Sequence, residues 1–348
     1  MIDTSDVHTL MIAAAGTGKT TFFLEPNIEY CCAAGMSFIS TDTKGDIYRN
    51  CGYVAAKRYG YKISVIDLRN PLKSDGFNLL HLVKKYMDEH KNNPLNISAK
   101  AKSERYAKIV ADSIIAADGD KYGANTYFYD AAKGLIAALI LIIAEYGNDK
   151  ECHIVSVLKL MIELLEAKPQ KKSQLKSETY FADLIKLLPP EHKARWLSGA
   201  AINNADQAAL SVISTALSRL NSLIDTETEQ ILCFNTAIDT ETLCKEKCAV
   251  FIVLPEEDRT KYVIANLIIE QISREIYHIA DENGGHLDKR IMIYFEEFGT
   301  MPPISGVEAM FSALRSRSVS IVAIIQSFAQ LEKTMESKGL KSSLITHN

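Results

Sequence analysis

Six short apolar runs punctuate the chain: His8–Ala14, Met36–Thr41, Lys62–Leu68, Ala249–Leu254, Ile291–Glu296 and Ser320–Gln326. Most are continuous or β-branched rather than alternating, the pattern of strands that helices cover on both faces. Helical patterns lie between several of them: Thr20–Ala34 follows the first run and Lys261–Ala280 the fourth. Alternating strand and helix predict right-handed βαβ crossovers, hence an α/β domain with a mainly parallel sheet. The middle of the chain differs. From about Met87 to Cys233 no strand pattern occurs, and helical periodicity recurs in Ala99–Ala117, Thr126–Tyr146, Ile154–Glu166, Thr179–Leu188 and Asn204–Leu223. Breakers separate these stretches: Asp118-Gly119-Asp120, Gly147-Asn148-Asp149, Pro169 and Pro189-Pro190. The expected organisation is an α/β domain made of residues 1–87 and 234–348, interrupted by an all-α insertion at 88–233.

Composition narrows the class. The 348 residues are 47% hydrophobic and 24% charged, a globular mix that excludes a disordered or collagen-like chain. A formal net charge of −4 argues against a globally basic nucleic-acid binder and leaves room for a local basic channel. The most basic stretch, Lys168–Lys176, reads as a solvated loop between helices, with a nucleic-acid contact as the other reading. The 7 cysteines are scattered without a CxxC pair, which speaks for reduced thiols and against a disulfide framework or a structural zinc site. Cys244 and Cys248 are spaced to share a helical face. Asp3, Asp6 and His8 stand where a signal peptide needs a basic and then an apolar run. The best membrane candidate, Gly134–Ala144, covers about half of the ~20 residues a spanning helix needs and reads as a buried core helix. The chain as given is expected to be soluble.

Candidate chemistry begins right after the first run, at Ala13-Ala14-Ala15-Gly16-Thr17-Gly18-Lys19-Thr20-Thr21. A strand before it and a helix after it supply the context of a phosphate-binding loop. Small residues let successive backbone N–H groups face an anion, and the following helix adds its positive end. Ala14, Ala15, Gly16, Thr17, Gly18, Lys19, Thr20 and Thr21 are the expected binding residues, with Lys19 reaching the β- and γ-phosphates and the Thr20 hydroxyl ligating Mg²⁺. Ala13 stands where the motif G-x-x-x-x-G-K-[ST] has glycine. It is tolerable if that backbone is extended and costly if φ must be positive.

The fifth run ends in two acids, IMIYFEEF at Ile291–Phe298, and resembles the Walker B element of P-loop ATPases. There the first acid holds Mg²⁺ and the second orients and deprotonates the attacking water, roles that fall to Glu296 and Glu297. The first acid is usually Asp, so Glu296 carries an extra methylene. The bland reading is two surface acids capping a strand. Gln326 ends the sixth run, placed either to touch the γ-phosphate or simply to bond a loop. Arg315 and Arg317 precede that strand and read equally as an arginine finger acting across a subunit interface or as surface arginines at a helix C-terminus.

Together these segments resemble the coupling-protein ATPases of type IV secretion and conjugation systems, closest to those of Gram-positive mobile elements. Ser40–Arg49, STDTKGDIYR, is similar to the family's "TDPKGE" element, with Thr43 for the proline and Asp46 for the glutamate. Tyr61–Leu80, Ala249–Lys261, Phe295–Phe298 and Leu314–Gln330 are similar to further family segments, in the family's order. The resemblance implies a RecA-like nucleotide domain carrying an all-α insertion, with Lys19, Glu297 and Gln326 around one phosphate. It implies an ATP- and Mg²⁺-dependent motor, a homo-hexamer, that pumps single-stranded DNA with its attached relaxase into the type IV secretion channel proteins. It also implies a place on the cytoplasmic face of the cell membrane, anchored by segments this chain lacks, and a continuation past Thr346 that makes the chain a fragment. Two other readings stay open: a docking adaptor with a degenerate nucleotide site, and a double-strand DNA translocase of the septal-pump type.

Overall fold

Each of the six apolar runs is a strand in the computed structural model, which describes residues 7–14, 16–116, 126–165, 180–199, 206–257, 261–301, 304 and 307–329. The strands are β1 (Thr9–Ile12), β2 (Ser37–Asp42), β3 (Lys62–Asp67), β4 (Cys248–Val253), β5 (Ile291–Phe295) and β6 (Val319–Ile325). They form one sheet in the order β1-β6-β5-β2-β4-β3, and every pairing is parallel. Every residue of β2, β4 and β6 is buried, which is why these runs show no polar alternation. The two strands at the ends of the order are more open. β3 alternates between buried and half-buried positions over most of its length, and Leu10 and Ile12 of β1 are exposed.

The crossovers follow from local signals. After β1 the chain winds through a wide π-type turn, Lys19–Leu24, into helix Glu25–Ala34, which Gly35 ends in the left-handed region. After β2, helix Tyr53–Tyr59 is ended by Gly60 in the same way. After β4 comes helix Tyr262–Glu282. One buried cluster ties the first two of these helices to the sheet through Leu24, Ile28, Ala55, Phe38, Phe251 and Tyr294. Phe38 meets the Phe251 ring edge-on at 5.5 Å and the Tyr294 ring at 6.2 Å. Full burial of such a side chain is worth about 1.5–3 kcal/mol.

The chain divides into two compact units. The sheet unit holds the described residues up to Phe77 and from Thr236 onward, and the helical unit holds Asn78–Ala116 and the described residues up to Asn235. The boundary read from the sequence at residue 88 falls inside helix His81–Asn92, which lies wholly in the helical unit. Its stripe of Leu82, Val83, Tyr86 and Met87 is buried. Tyr86 stacks on Tyr106 of helix Ile97–Ala116 at 5.7 Å, and the Ser103 hydroxyl donates to the Val83 carbonyl at 2.9 Å.

Helix Thr126–Tyr146 is the centre of the helical unit. Its 21 residues are long and apolar enough to cross a membrane, so length alone does not decide its nature. Surroundings do: every residue from Leu135 to Ala144 is buried, and the helices Ile97–Ala116, Lys193–Leu197 and Asp206–Asn221 pack on it. Gly134 admits the approach of helix Lys193–Leu197, since a Cβ there would collide with the Leu197 carbonyl oxygen. The remaining helices of the unit include Ile154–Leu165 and Tyr180–Leu187, and the basic stretch 168–176 lies outside the described residues. All 7 cysteines are free. Cys244 and Cys248 share no helical face, because helix Thr240–Lys245 ends between them and Cys248 opens β4.

Candidate functional site

Parallel pairing brings the carboxyl ends of β1, β6, β5 and β2 to one side of the sheet, where open α/β sheets form their binding crevices. The loop after β1 starts from a fixed point, with the Ala13 N–H donating to the Ile325 carbonyl at 3.0 Å. Among the described non-glycine residues only Ser318 has a positive φ, so alanine at position 13 carries no backbone penalty. Gly16 and Gly18 do turn into the left-handed region, at φ 76° and 79°. A side chain at Gly18 would also strike the Phe22 ring. Thr17 donates its hydroxyl to the Ala14 carbonyl at 2.8 Å, and Lys19 Nζ reaches back to the Ala13 carbonyl at 3.1 Å. Ala15 lies outside the described residues.

The two acids at the end of β5 part company. Glu296 is only 7% exposed, and its carboxylate takes three hydrogen bonds. Thr20 Oγ1 donates to Oε1 at 3.1 Å, while the Thr43 N–H and Oγ1 donate to Oε2 at 2.9 and 3.1 Å. Burial pushes the Glu296 carboxyl up from its ordinary range, the Thr43 N–H pulls it down, and the neighbouring Asp42 charge pushes it up again. Glu297 instead accepts from Gln326 Nε2 at 3.2 Å. A cavity of about 360 Å³ opens here, lined by Gly16, Gly18, Lys19, Thr20, Thr21, Glu25, Lys44, Asp46, Asn50, Glu296, Glu297 and Gln326.

The family model described as "Type IV secretory system Conjugative DNA transfer" matches residues 2–348. The chain belongs to this family. Solved structures agree at the level of fold. The unbound bacterial conjugative coupling protein TrwBdeltaN70 superposes with a TM-score of 0.63 at 13% identity, over 97% of this chain and 66% of that one. The plasmid coupling protein TrwB gives 0.63 at 12% identity, over 97% and 68%, both in complex with the ATP analogue ADPNP and with ADP and Mg²⁺. The chain therefore spans about two thirds of the length of these proteins and shares their RecA-like P-loop architecture. No curated protein matches the sequence.

In this conjugative-transfer family member, Gly16, Gly18, Lys19, Thr20, Thr21, Glu296, Glu297 and Gln326 of the residues singled out in the sequence meet at the cavity; Ala14, Thr17 and the two arginines are not among its lining. Arg317 donates to Asp281 Oδ1 at 2.9 and 3.3 Å and to the Ala313 carbonyl at 3.0 Å, and lies over the Tyr277 ring at 5.2 Å. Arg315 is exposed on the same turn. Neither lines the cavity.

Residues without a role in the sequence reading also line the cavity: Glu25, Lys44, Asp46 and Asn50. Asp42 closes β2 and Thr43 and Lys44 follow it; the register sets Ser40 beside Tyr294, so the end of β2 lies level with Glu296. Asp42 shapes that loop by accepting the N–H groups of Lys44, Gly45 and Tyr48 at 3.2, 2.7 and 2.9 Å. Its own carboxyl is pushed up by burial against those bonds. The signal that marks the loop is the polar string after an apolar strand, STDTKGD.

No group of three or more His, Cys, Asp or Glu side chains suited to a metal occurs among the described residues. Mg²⁺ does not need one: it keeps several waters and binds through one or two hard oxygen ligands plus phosphates. Thr20 Oγ1 and the Glu296 carboxylate, 3.1 Å apart at the cavity, fit that donor set.

Proposed function

We propose that this chain is the ATP-hydrolysing core of a conjugative coupling protein. The observation that carries the reading is that Lys19, Thr20, Glu296, Glu297 and Gln326, from opposite ends of the chain, line one cavity at the strand ends. The loop amides and Lys19 bind the β- and γ-phosphates, with the positive end of the following helix adding to the field. Thr20 and Glu296 would hold Mg²⁺, which would supply positive charge against the charge that develops on the phosphates. Glu297 takes the proton of the attacking water, and Gln326 orients Glu297 and reports the γ-phosphate. Positioning and electrostatics supply most of the rate in such sites. Arg315 or Arg317 serves a neighbouring copy, since in their own chain both lie off the cavity.

Beyond the site, the reading follows the family: a homo-hexamer that moves single-stranded DNA with its relaxase into the type IV secretion channel, at the cytoplasmic face of the membrane, anchored through segments outside this chain. The helical unit selects substrate. The solved TrwB complexes with ADPNP and with ADP and Mg²⁺ support the cofactor assignment. An adaptor with a degenerate site draws its motive from Ala13 and Glu296. Ala13 avoids positive φ and Glu296 reaches Thr20, so neither departure favours it.

Phosphate release from Mg-ATP by the full-length protein, with and without single-stranded DNA, tests the reading. Turnover that single-stranded DNA stimulates is expected. No turnover under either condition overturns it in favour of the adaptor, and stimulation by duplex DNA alone points to a double-strand translocase.

A further inference from the structure

Thr43 is 4% exposed and spends both of its donors, backbone and side chain, on the same atom, Glu296 Oε2. A glutamate has one more rotatable bond than an aspartate, and a buried one left to rotate would present either oxygen to the cavity. With Oε2 held from one side by two donors, Oε1 faces Thr20 on the other. The clamp is itself braced. Asp42 gathers three N–H groups of its own loop, and its carbonyl accepts the Leu254 N–H at 2.9 Å. Arg69 Nη1 donates to the Lys44 carbonyl at 2.8 Å, and the Glu296 N–H is tied to Thr41 Oγ1 at 3.0 Å. β2 and β5 are hydrogen-bonded neighbours, so the clamp and the acid ride on one rigid pair of strands. Pre-set partners behind a ligand of this kind control metal affinity without touching the metal.

We propose that Thr43 is a positioning residue that fixes the Glu296 carboxylate toward Thr20 and thereby sets the affinity of the site for Mg²⁺ in the nucleotide complex. This rests on the nucleotide reading above. Thr43 does not line the cavity; it acts through Glu296. A threonine that only satisfies its own polar groups predicts no specific effect on the metal.

Calorimetric titration of ADP, without and with a series of MgCl₂ concentrations, separates the two. Thr43→Val keeps the shape and the backbone donor and removes the hydroxyl. It is expected to bind ADP without Mg²⁺ as the wild type does and to need about tenfold more Mg²⁺ for half-maximal tightening, while Thr43→Ser recovers to within about twofold. Wild-type Mg²⁺ dependence in Thr43→Val overturns the proposal, as does an equal loss of ADP affinity with and without Mg²⁺, or a failure of Thr43→Ser to recover. If the wild type binds ADP but Mg²⁺ does not tighten it, the proposal fails and phosphate binding at the loop survives. If the wild type binds no ADP at all, the nucleotide reading fails with it.

Discussion

The two units bury polar groups in opposite ways. In the helical unit such groups are mostly settled close to home: Ser198 donates to the Ala194 carbonyl, Thr228 to the Leu223 carbonyl and Ser103 to the Val83 carbonyl. Its longer links stay within the unit: His192 Nε2 to Glu145 Oε2 at 2.8 Å pulls the Glu145 carboxyl below its ordinary value, and Asn78 Nδ2 and Lys91 Nζ donate to the Cys152 and Ala144 carbonyls. In the sheet unit the bonds of Glu296 reach partners 253 and 276 positions away, and all of them end at one cavity. Local satisfaction offsets the desolvation of a polar group and stops there. Long-range convergence on a cavity costs chain entropy and leaves charge facing solvent, which packing alone does not call for. On the proposed function the chemistry belongs to the sheet unit, where the cavity lies.

The comparison breaks most sharply at Lys19. Lys19→Ala should abolish Mg-ATP turnover, a loss of at least about 100-fold, because one preorganised cation is removed from the phosphate site. Circular dichroism should show the helical content intact. Turnover retained in that variant would move the chemistry elsewhere.

Gly134→Ala attacks the other unit. Its Cβ would press on the Leu197 carbonyl, and the helices must shift to admit it. Overpacking of this kind costs about 1–3 kcal/mol, visible as a lower urea midpoint. ADP affinity under native conditions should not change. A parallel loss of ADP affinity would show that the division between scaffold and site is wrong.

The smallest effect concerns His8. Its Nδ1 accepts the Ile321 N–H at 2.9 Å, and burial lowers its pKa, helped by Arg315 and opposed by a bond to the Phe311 backbone. Between the lowered folded value and the unfolded value of about 6.5, the unfolded chain binds more protons, so stability falls as pH falls through that window. His8→Gln should make the urea midpoint less sensitive to acidification from about pH 7 to about pH 5.5. An unchanged slope would mean that His8 binds protons equally in the folded and unfolded states.

Much of the sheet unit was legible in the sequence because its signals are local. Continuous apolar runs such as Cys248–Val253 cannot be amphipathic, and GTGKT between strand and helix is a contiguous motif. Thr43 was not legible as a partner of Glu296, since the pairing depends on β2 lying beside β5 across a long insertion. The boundary at residue 88 missed for a related reason. Helix His81–Asn92 comes after the breakers Asn70-Pro71 and Ser74-Asp75-Gly76, which do not by themselves say which unit it joins, and its packing on Ile97–Ala116 assigns it to the helical unit. The identity of the core helix Thr126–Tyr146 also depends on neighbours, because its own residues satisfy the length and apolarity of a membrane span.

One measurement bears most directly on the claim that the cavity splits ATP with Glu297 as base. Phosphate release and ATP binding should be recorded side by side for the wild type and Glu297→Gln. The account predicts ATP affinity within about twofold of wild type and phosphate release lower by about 100-fold or more. Turnover by Glu297→Gln at the wild-type rate would contradict it.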